Sequence, residues 1–151
     1  MANLGQITKY LNAKKLGHKV IDLGDEIFTV KGVVETGVNE EEIMKTLIIR
    51  GNNNQFVALA VRGKDRVDFK KIRRLFGNKS EFAKPNEVLK VCGVPVGAVC
   101  PILLNIPVYF DMKVMDLSHI NMGSGDLTKG LEMEFSDLLK AVGKYSIEDL
   151  V

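Results

Sequence analysis

Two apolar runs constrain this chain more than any other feature. They are MKTLIIR (Met44–Arg50) and QFVALAVR (residues 55–62), separated by Gly51, Asn52, Asn53 and Asn54. β-branched and apolar residues on either side of a Gly/Asn turn predict an antiparallel hairpin. Each run is almost continuously apolar, so the hairpin is expected to be buried on both faces. Such a hairpin needs a layer on each side, and the rest of the chain must supply both.

The remaining pattern predicts those layers. Leu4, Ile7 and Leu11 recur at helical spacing, with Gly17 as the expected stop, and HKVIDL reads as a short strand. Thr29 is placed to cap a helix through Val30, Val33 and Val34 that ends near Gly37, and Asn39 before Glu40, Glu41 and Glu42 marks another helix start. Asp68 caps a helix with the apolar face Phe69, Ile72, Leu75 and Phe76, closed by Gly77. Pro85 opens a helix that runs to Cys92 and stops at Gly93. PVYFD is a strand, SHINMGSG is strand then turn, LEMEF is a strand, and Ser136 caps a last helix, DLLKAV, ending at Gly143. Helices alternate irregularly with hairpins. The expected class is therefore α/β of the α+β-like kind, one domain over residues 1–151 with a mixed, mostly antiparallel sheet flanked by helices. No GxGxxG follows the first strand, so a doubly wound dinucleotide fold is not expected.

Composition narrows the function. The 151 residues suffice for one sizeable core, and 46% hydrophobic with 26% charged residues is an ordinary globular balance. No apolar run approaches the roughly 20 residues that span a bilayer, and MANLGQITKY lacks the apolar core of a signal peptide. The expectation is a cytoplasmic protein. Cys92 and Cys100 make no disulfide framework, and His18 and His119 lie far from them, so neither a metal nor another cofactor is expected. Net charge is only +2, but it is uneven. Arg62, Lys64, Arg66, Lys70, Lys71, Arg73 and Arg74 face only Asp65 and Asp68 in residues 62–74, an excess of seven minus two, or five. That cluster reads either as a solvated helix face or as a phosphate-contacting patch.

Several segments, in order, carry a family resemblance. They are the Lys45-Thr46 pair opening an apolar strand, VALAVRGKDRVDFKKIRRLFG, and a helix ending in Cys92-Gly93. The Gly-x-x-x-Gly-x-x-x-Pro run from Gly93 to Pro101, PVYFD ending at Asp111, and Gly123-Ser124-Gly125 follow. Over roughly residues 20–142 the chain resembles the YbaK/prolyl-tRNA-synthetase-associated editing domain. The resemblance implies a mixed α/β domain that deacylates mischarged tRNA in trans, with tRNA(Pro) carrying Cys or Ala as the expected substrate and a prolyl-tRNA synthetase as a candidate partner. It implies that Lys45 is required for activity and that Gly97 helps form the ester pocket. It also implies that Gly123, Ser124, Gly125 and Asp111 line or support that pocket, with Thr46, Ala98 and Cys100 beside it. Many relatives carry Thr or Ser where Cys92 and Cys100 stand.

The chemistry is coherent on its own terms. An aminoacyl ester is already activated, and the vicinal ribose hydroxyl can position water, so orientation and donors aimed at the oxyanion suffice. Backbone N–H groups at Gly97-Ala98 and at Gly123 to Gly125 are candidate donors. Lys45 reads either as a strand-end lysine with its head in water or as a point charge for the terminal phosphate. Ser124 is a pocket residue or a turn serine, and Asp111 orients the Gly-Ser-Gly turn or caps the next segment. His119 has no evident acid partner in the sequence and reads as solvated or packed. Cys92 lies near a helix C-terminus, where the dipole disfavours thiolate. Cys100 precedes Pro101 and could tune pocket size. Arg62, Lys70, Arg73 and Arg74 are the candidate contacts to the acceptor stem. The competing readings are a non-catalytic RNA-binding module using the basic helix in residues 62–74, and a small-molecule pocket without RNA.

Overall fold

The computed structural model describes residues 3–151. The hairpin forms as its sequence requires. Strand β2 (Met44–Arg50) pairs antiparallel with β3 (Phe56–Arg62), from Met44 opposite Arg62 to Arg50 opposite Phe56. Asn53 and Asn54 turn the chain with φ of 60° and 55°, a left-handed conformation that asparagine tolerates better than most residues. Both faces are buried. Met44, Ile48, Ala58 and Ala60 enter the larger core, while Ile49, Val57, Leu59 and Val61 pack against Ile72 and Leu150.

Around the hairpin grows a five-stranded sheet in the order β4-β2-β3-β5-β8. Strands β4 (Glu81–Phe82) and β8 (Ser146–Glu148) were not expected from the sequence, since both are short and largely exposed. Strands β5 (Val108–Asp111) and β8 add in parallel, and the other pairings of this sheet are antiparallel. A separate antiparallel sheet holds β1 (Lys19–Asp22), β7 (Lys129–Glu134) and β6 (His119–Gly123) in the order β1-β7-β6. The mixed sheet is thus split in two, joined through a parallel bridge between Ile43 and Asn121.

Helices cover the outside. In α1 (Leu4–Ala13), Asn3 and Gln6 form a reciprocal capping box, and Ile7 and Leu11 are fully buried. Each such side chain removed from water stabilises by about 1.5–3 kcal/mol. The helix ends before Gly17: Lys15 adopts φ 57° and Leu16 N–H returns to the Leu11 carbonyl. Thr29 caps α2 (Val30–Glu35) through Gly32 N–H, and Asp68 caps α3 (Phe69–Phe76) through Lys70 N–H. Asn39 starts only a 3-10 turn, Glu40–Glu42, because Ile43 is already extended and feeding β2. Helix α4 (Pro85–Cys92) starts at its proline and closes at Gly93, as expected. Helix α5 (Phe135–Val142) begins before Ser136. Its N-cap is Glu134, and buried Phe135 donates its N–H to the Ser118 carbonyl, so the strand passes directly into the helix. Phe135 stacks edge-on against Phe110 of β5, centroids 5.7 Å apart. No helix among the described residues is long and apolar enough to cross a membrane.

Candidate active site

A cavity of about 410 Å³ opens where the outer edge of β2 faces the three-stranded sheet. Its walls are residues 43–48, the segment from Ile27 to Val33, the glycine loop at Val96, Gly97 and Val99, and β6 at Asn121, Met122 and Gly123. Asp126, Leu127, Lys129 and Gly130 close the far side, with Ala83 and Val88 at the end of β4 and in α4. Most of these side chains are apolar, and the volume suits a small-molecule group. Phe28, Phe82 and Val96 stand on its rim and are 56%, 50% and 43% exposed.

Polar groups are few, which makes each informative. Side chains alternate along β2, so Lys45 shares a face with Leu47 and Ile49, and Thr46 shares one with Met44 and Ile48. Both line the cavity because it wraps around the strand edge. Lys45 is half-buried, and no carboxylate pairs with it among the described residues. Its neighbour Asp65 is held by Arg62 at 2.7 Å, and the other lining lysine, Lys129, meets Asp22 at 3.3 Å. Burial pulls the Lys45 pKa below the ordinary lysine value, Asp65 partly offsets this, and Arg66 adds to it. A partly desolvated ammonium without a partner favours an incoming anion. Thr46 Oγ1 is buried with no hydrogen-bond partner.

Asn121, buried at 2% exposure, donates from its side chain to Glu132 Oε1 at 3.3 Å. Beyond it, Glu132 lies 3.7 Å from His119 Nε2, and His119 Nδ1 is 3.0 Å from Glu134. The histidine therefore has acid partners that the linear sequence hid, brought opposite by the β6–β7 register. Its pKa is raised, first by the Glu134 bond and then by Glu132, Glu42 and Glu134 charge, against partial burial.

The glycines on the cavity wall permit close backbone packing. Gly97 has φ +92°, and a Cβ there would sit 2.8 Å from the Phe28 carbonyl oxygen. A Cβ on Gly123 would collide with the Val99 carbonyl. Both let the loops that wall the cavity stack backbone on backbone. Two of the proposed donors are already used: Ala98 N–H bonds the Pro95 carbonyl at 3.0 Å, and Gly125 N–H bonds the Ala98 carbonyl at 2.7 Å.

Of the expected site residues, Lys45, Thr46, Gly97 and Gly123 line the cavity, whereas Ala98, Cys100, Asp111, Ser124 and Gly125 lie behind its wall. Ser124 Oγ bonds the Lys129 and Asp126 carbonyls, so it builds the turn. Asp111 caps the following 3-10 turn, Met112–Asp116, by accepting from Lys113 N–H at 3.0 Å, and also accepts from Leu150 N–H at 2.8 Å. Burial pushes the thiols of Cys92 and Cys100 up to about 11 and about 12, which keeps both neutral near pH 7. No group of three or more His, Cys, Asp and Glu arranged to hold a metal occurs among the described residues.

The basic cluster divides as well. Arg62 pairs with Asp65, and Lys71 binds Asp149 and the Val151 carbonyl. Lys70, Arg73 and Arg74 remain exposed on α3. The Arg73 guanidinium lies over the Phe69 ring at 5.1 Å, and Phe69 meets Phe82 edge-on at 5.0 Å. A continuous aromatic and cationic surface thus runs from the cavity rim onto α3. The sequence carried no signal for Phe82 or Asn121, because neither belongs to a motif and β4 is two residues long.

Residues 26–141 match the family model of the aminoacyl-tRNA editing domain. The chain belongs to that family. The editing domain is 34% identical over 113 residues to the protein YwhH of Bacillus subtilis (strain 168), covering 73% of this chain and 72% of YwhH. It is 33% identical over 85 residues to a proline--tRNA ligase of Sulfurihydrogenibium sp. (strain YO3AOP1), where the match covers 56% of this chain but only 15% of the ligase. Among solved structures, one described as a candidate trans-editing enzyme for prolyl tRNA synthetase superposes with TM-score 0.82 at 26% identity, covering 97% of this chain and 95% of that one. The hypothetical protein APE2540 superposes with TM-score 0.84 at 28% identity, covering 96% and 98%. The fold is that of the trans-editing enzyme structure.

Proposed function

We propose that this editing domain hydrolyses the ester between a wrongly attached amino acid and its tRNA, acting in trans as one domain over residues 1–151. The observation that carries the reading is the unpartnered Lys45 ammonium on the wall of an apolar cavity large enough for an aminoacyl group. Lys45 holds the phosphate of the terminal adenosine as a point charge, which needs no bidentate geometry. The apolar wall takes a small side chain, Ala or Cys in this reading, and the similarity to proline--tRNA ligases supports tRNA(Pro) as its carrier.

In the reaction a water oxygen bonds to the acyl carbon and the carbonyl becomes an oxyanion. The oxyanion collapses, the bond to the ribose oxygen breaks, and that oxygen takes a proton from the attacking water. The products are the free amino acid and tRNA with its terminal hydroxyl restored. The vicinal ribose hydroxyl positions the water, so the protein supplies orientation and oxyanion donors. Lys70, Arg73 and Arg74 meet acceptor-stem phosphates, and an unpaired 3′ base stacks over Phe82.

The test is a panel of aminoacyl-tRNAs that includes Ala-, Cys- and Ser-charged tRNA(Pro), with ester loss measured at two salt concentrations. Enzyme-dependent loss of one of these esters supports the reading. Salt-sensitive binding with no ester loss would replace it with a non-catalytic RNA-binding role.

A further inference from the structure

The strand edge beside Lys45 holds a main-chain pair that no strand covers. In β2 the odd-numbered residues bond to β3, as Gly63 N–H to the Ile43 carbonyl and Gly51 N–H to the Gln55 carbonyl show. The even-numbered residues therefore turn their N–H and C=O outward. Ile48 is covered there, since its carbonyl accepts from Ala83 N–H at 2.9 Å. Continuing that register would set Pro85 opposite Thr46. Proline has no N–H to give, and Pro85 instead begins α4, so pairing stops one position short. On the other side, β6 runs beside this edge, but the one ladder pair it forms there among the described residues is the bridge of Ile43 to Asn121. Thr46 is left with its N–H and C=O facing the cavity, beside its own buried and unpartnered Oγ1.

We infer that this exposed pair is the docking element for the aminoacyl group, which binds as a one-residue continuation of β4. The inference rests on the deacylase reading above. An α-aminoacyl ester has an ammonium donor and a carbonyl acceptor separated by the same N–Cα–C geometry as a residue in a strand. Its ammonium donates to the Thr46 carbonyl and its ester carbonyl oxygen accepts from Thr46 N–H. In this antiparallel pairing an L-side chain falls on the same face as that of Thr46, towards Ile48, Val88, Val99 and Met122 of the cavity wall. Thr46 N–H then faces the oxyanion as water adds, a donor that needs no glycine turn. It also satisfies main-chain groups that otherwise line an apolar cavity without a strand partner.

The decisive variant replaces Thr46 by its α-hydroxy acid analogue, which turns the peptide N–H into an ester oxygen and leaves the side chain in place. Deacylation by the full chain should lose about 100- to 1,000-fold in kcat, the usual effect of removing one oxyanion donor. Melting should barely change, because this N–H takes no part in the β2–β3 ladder. The same replacement at Leu59, which bonds to β2 opposite Leu47 and lies off the cavity wall, should lower the melting temperature and spare kcat. A second readout needs no hydrolysis. Titration of 15N-labelled protein with 3′-(L-alanylamino)-3′-deoxyadenosine should move the Thr46 amide proton downfield. A wild type that cleaves aminoacyl-tRNA while the Thr46 analogue keeps full kcat, or while the Thr46 resonance stays still on saturation, overturns this inference alone. A wild type inactive on the whole panel overturns the deacylase reading instead.

Discussion

Lys45 is where function and stability are expected to part. The ammonium is half-buried, and among the described residues it has no carboxylate partner, since Asp65 is committed to Arg62. Its pKa is depressed chiefly by burial, so the folded state pays for carrying the charge. Lys45→Met keeps the stem that packs beside Leu47 and removes only that charge. Stability should stay level or rise, within about 1 kcal/mol, as for other changes that relieve a strained functional group. A charge-assisted bond to phosphate is worth about 1.5–3 kcal/mol, which converts to a loss of about 10- to 150-fold in kcat/KM.

The assay has two arms. Urea melts give stability, and single-turnover ester loss on Ala-tRNA(Pro) gives activity after subtraction of spontaneous hydrolysis. Because the pKa is lowered, the wild-type rate should also decline with rising pH before an ordinary lysine would lose its proton, and Lys45→Met should show no such limb. A variant that is clearly destabilised yet fully active would refute the reasoning, since it would make Lys45 a packing residue.

Three further outcomes follow from the geometry. Gly97→Ala should destabilise by about 1–2 kcal/mol from its left-handed φ alone, and by more because the new methyl meets the Phe28 backbone; urea melts check the stability, and KM should rise as that loop shifts. His119 has a raised pKa in the folded state, so its contribution to stability is complete below the unfolded value near 6.5 and is lost as pH rises through the higher folded value. His119→Gln should flatten that part of the stability-versus-pH curve, read by thermal melts across pH 5–9. Native protein at pH 7.5 should resist iodoacetamide and keep its activity, because Cys92 and Cys100 are buried thiols held at about 11 and about 12; rapid labelling with loss of deacylation would contradict the placement of both.

Much of the fold was legible because it is written in local pattern. The β2–β3 hairpin, the Asp68 and Thr29 caps and the Pro85 start are each decided by a few adjacent residues, and each appears where expected. The failures share a cause: the deciding partner is distant in sequence. Ser136 lost the cap because Ser118 and the core captured Phe135 first. His119 gained acid partners through cross-strand register. Asp111 does cap the next segment, through Lys113 N–H, and only its added bond to Leu150 N–H, 39 residues away, had no local signal. The ion partners of Arg62 and Lys71 are Asp65 and Asp149, the second of them 78 residues from its lysine.

The site itself shows how a polar feature can arise from something missing. Sequence motifs advertise side chains, and here they drew attention to Lys45 and to glycines as backbone donors. Gly97 and Gly123 also act as spacers between loops. A further open donor and acceptor lie on Thr46, and they are open because of a residue 39 positions later: Pro85 can neither donate nor extend β4. That proline already had a complete local explanation as the first residue of a helix. Only the β2–β4 register shows its second effect, which is to keep a strand edge free beside an unpaired lysine. If Thr46 binds the aminoacyl group, lengthening β4 should compete with substrate for the same two atoms.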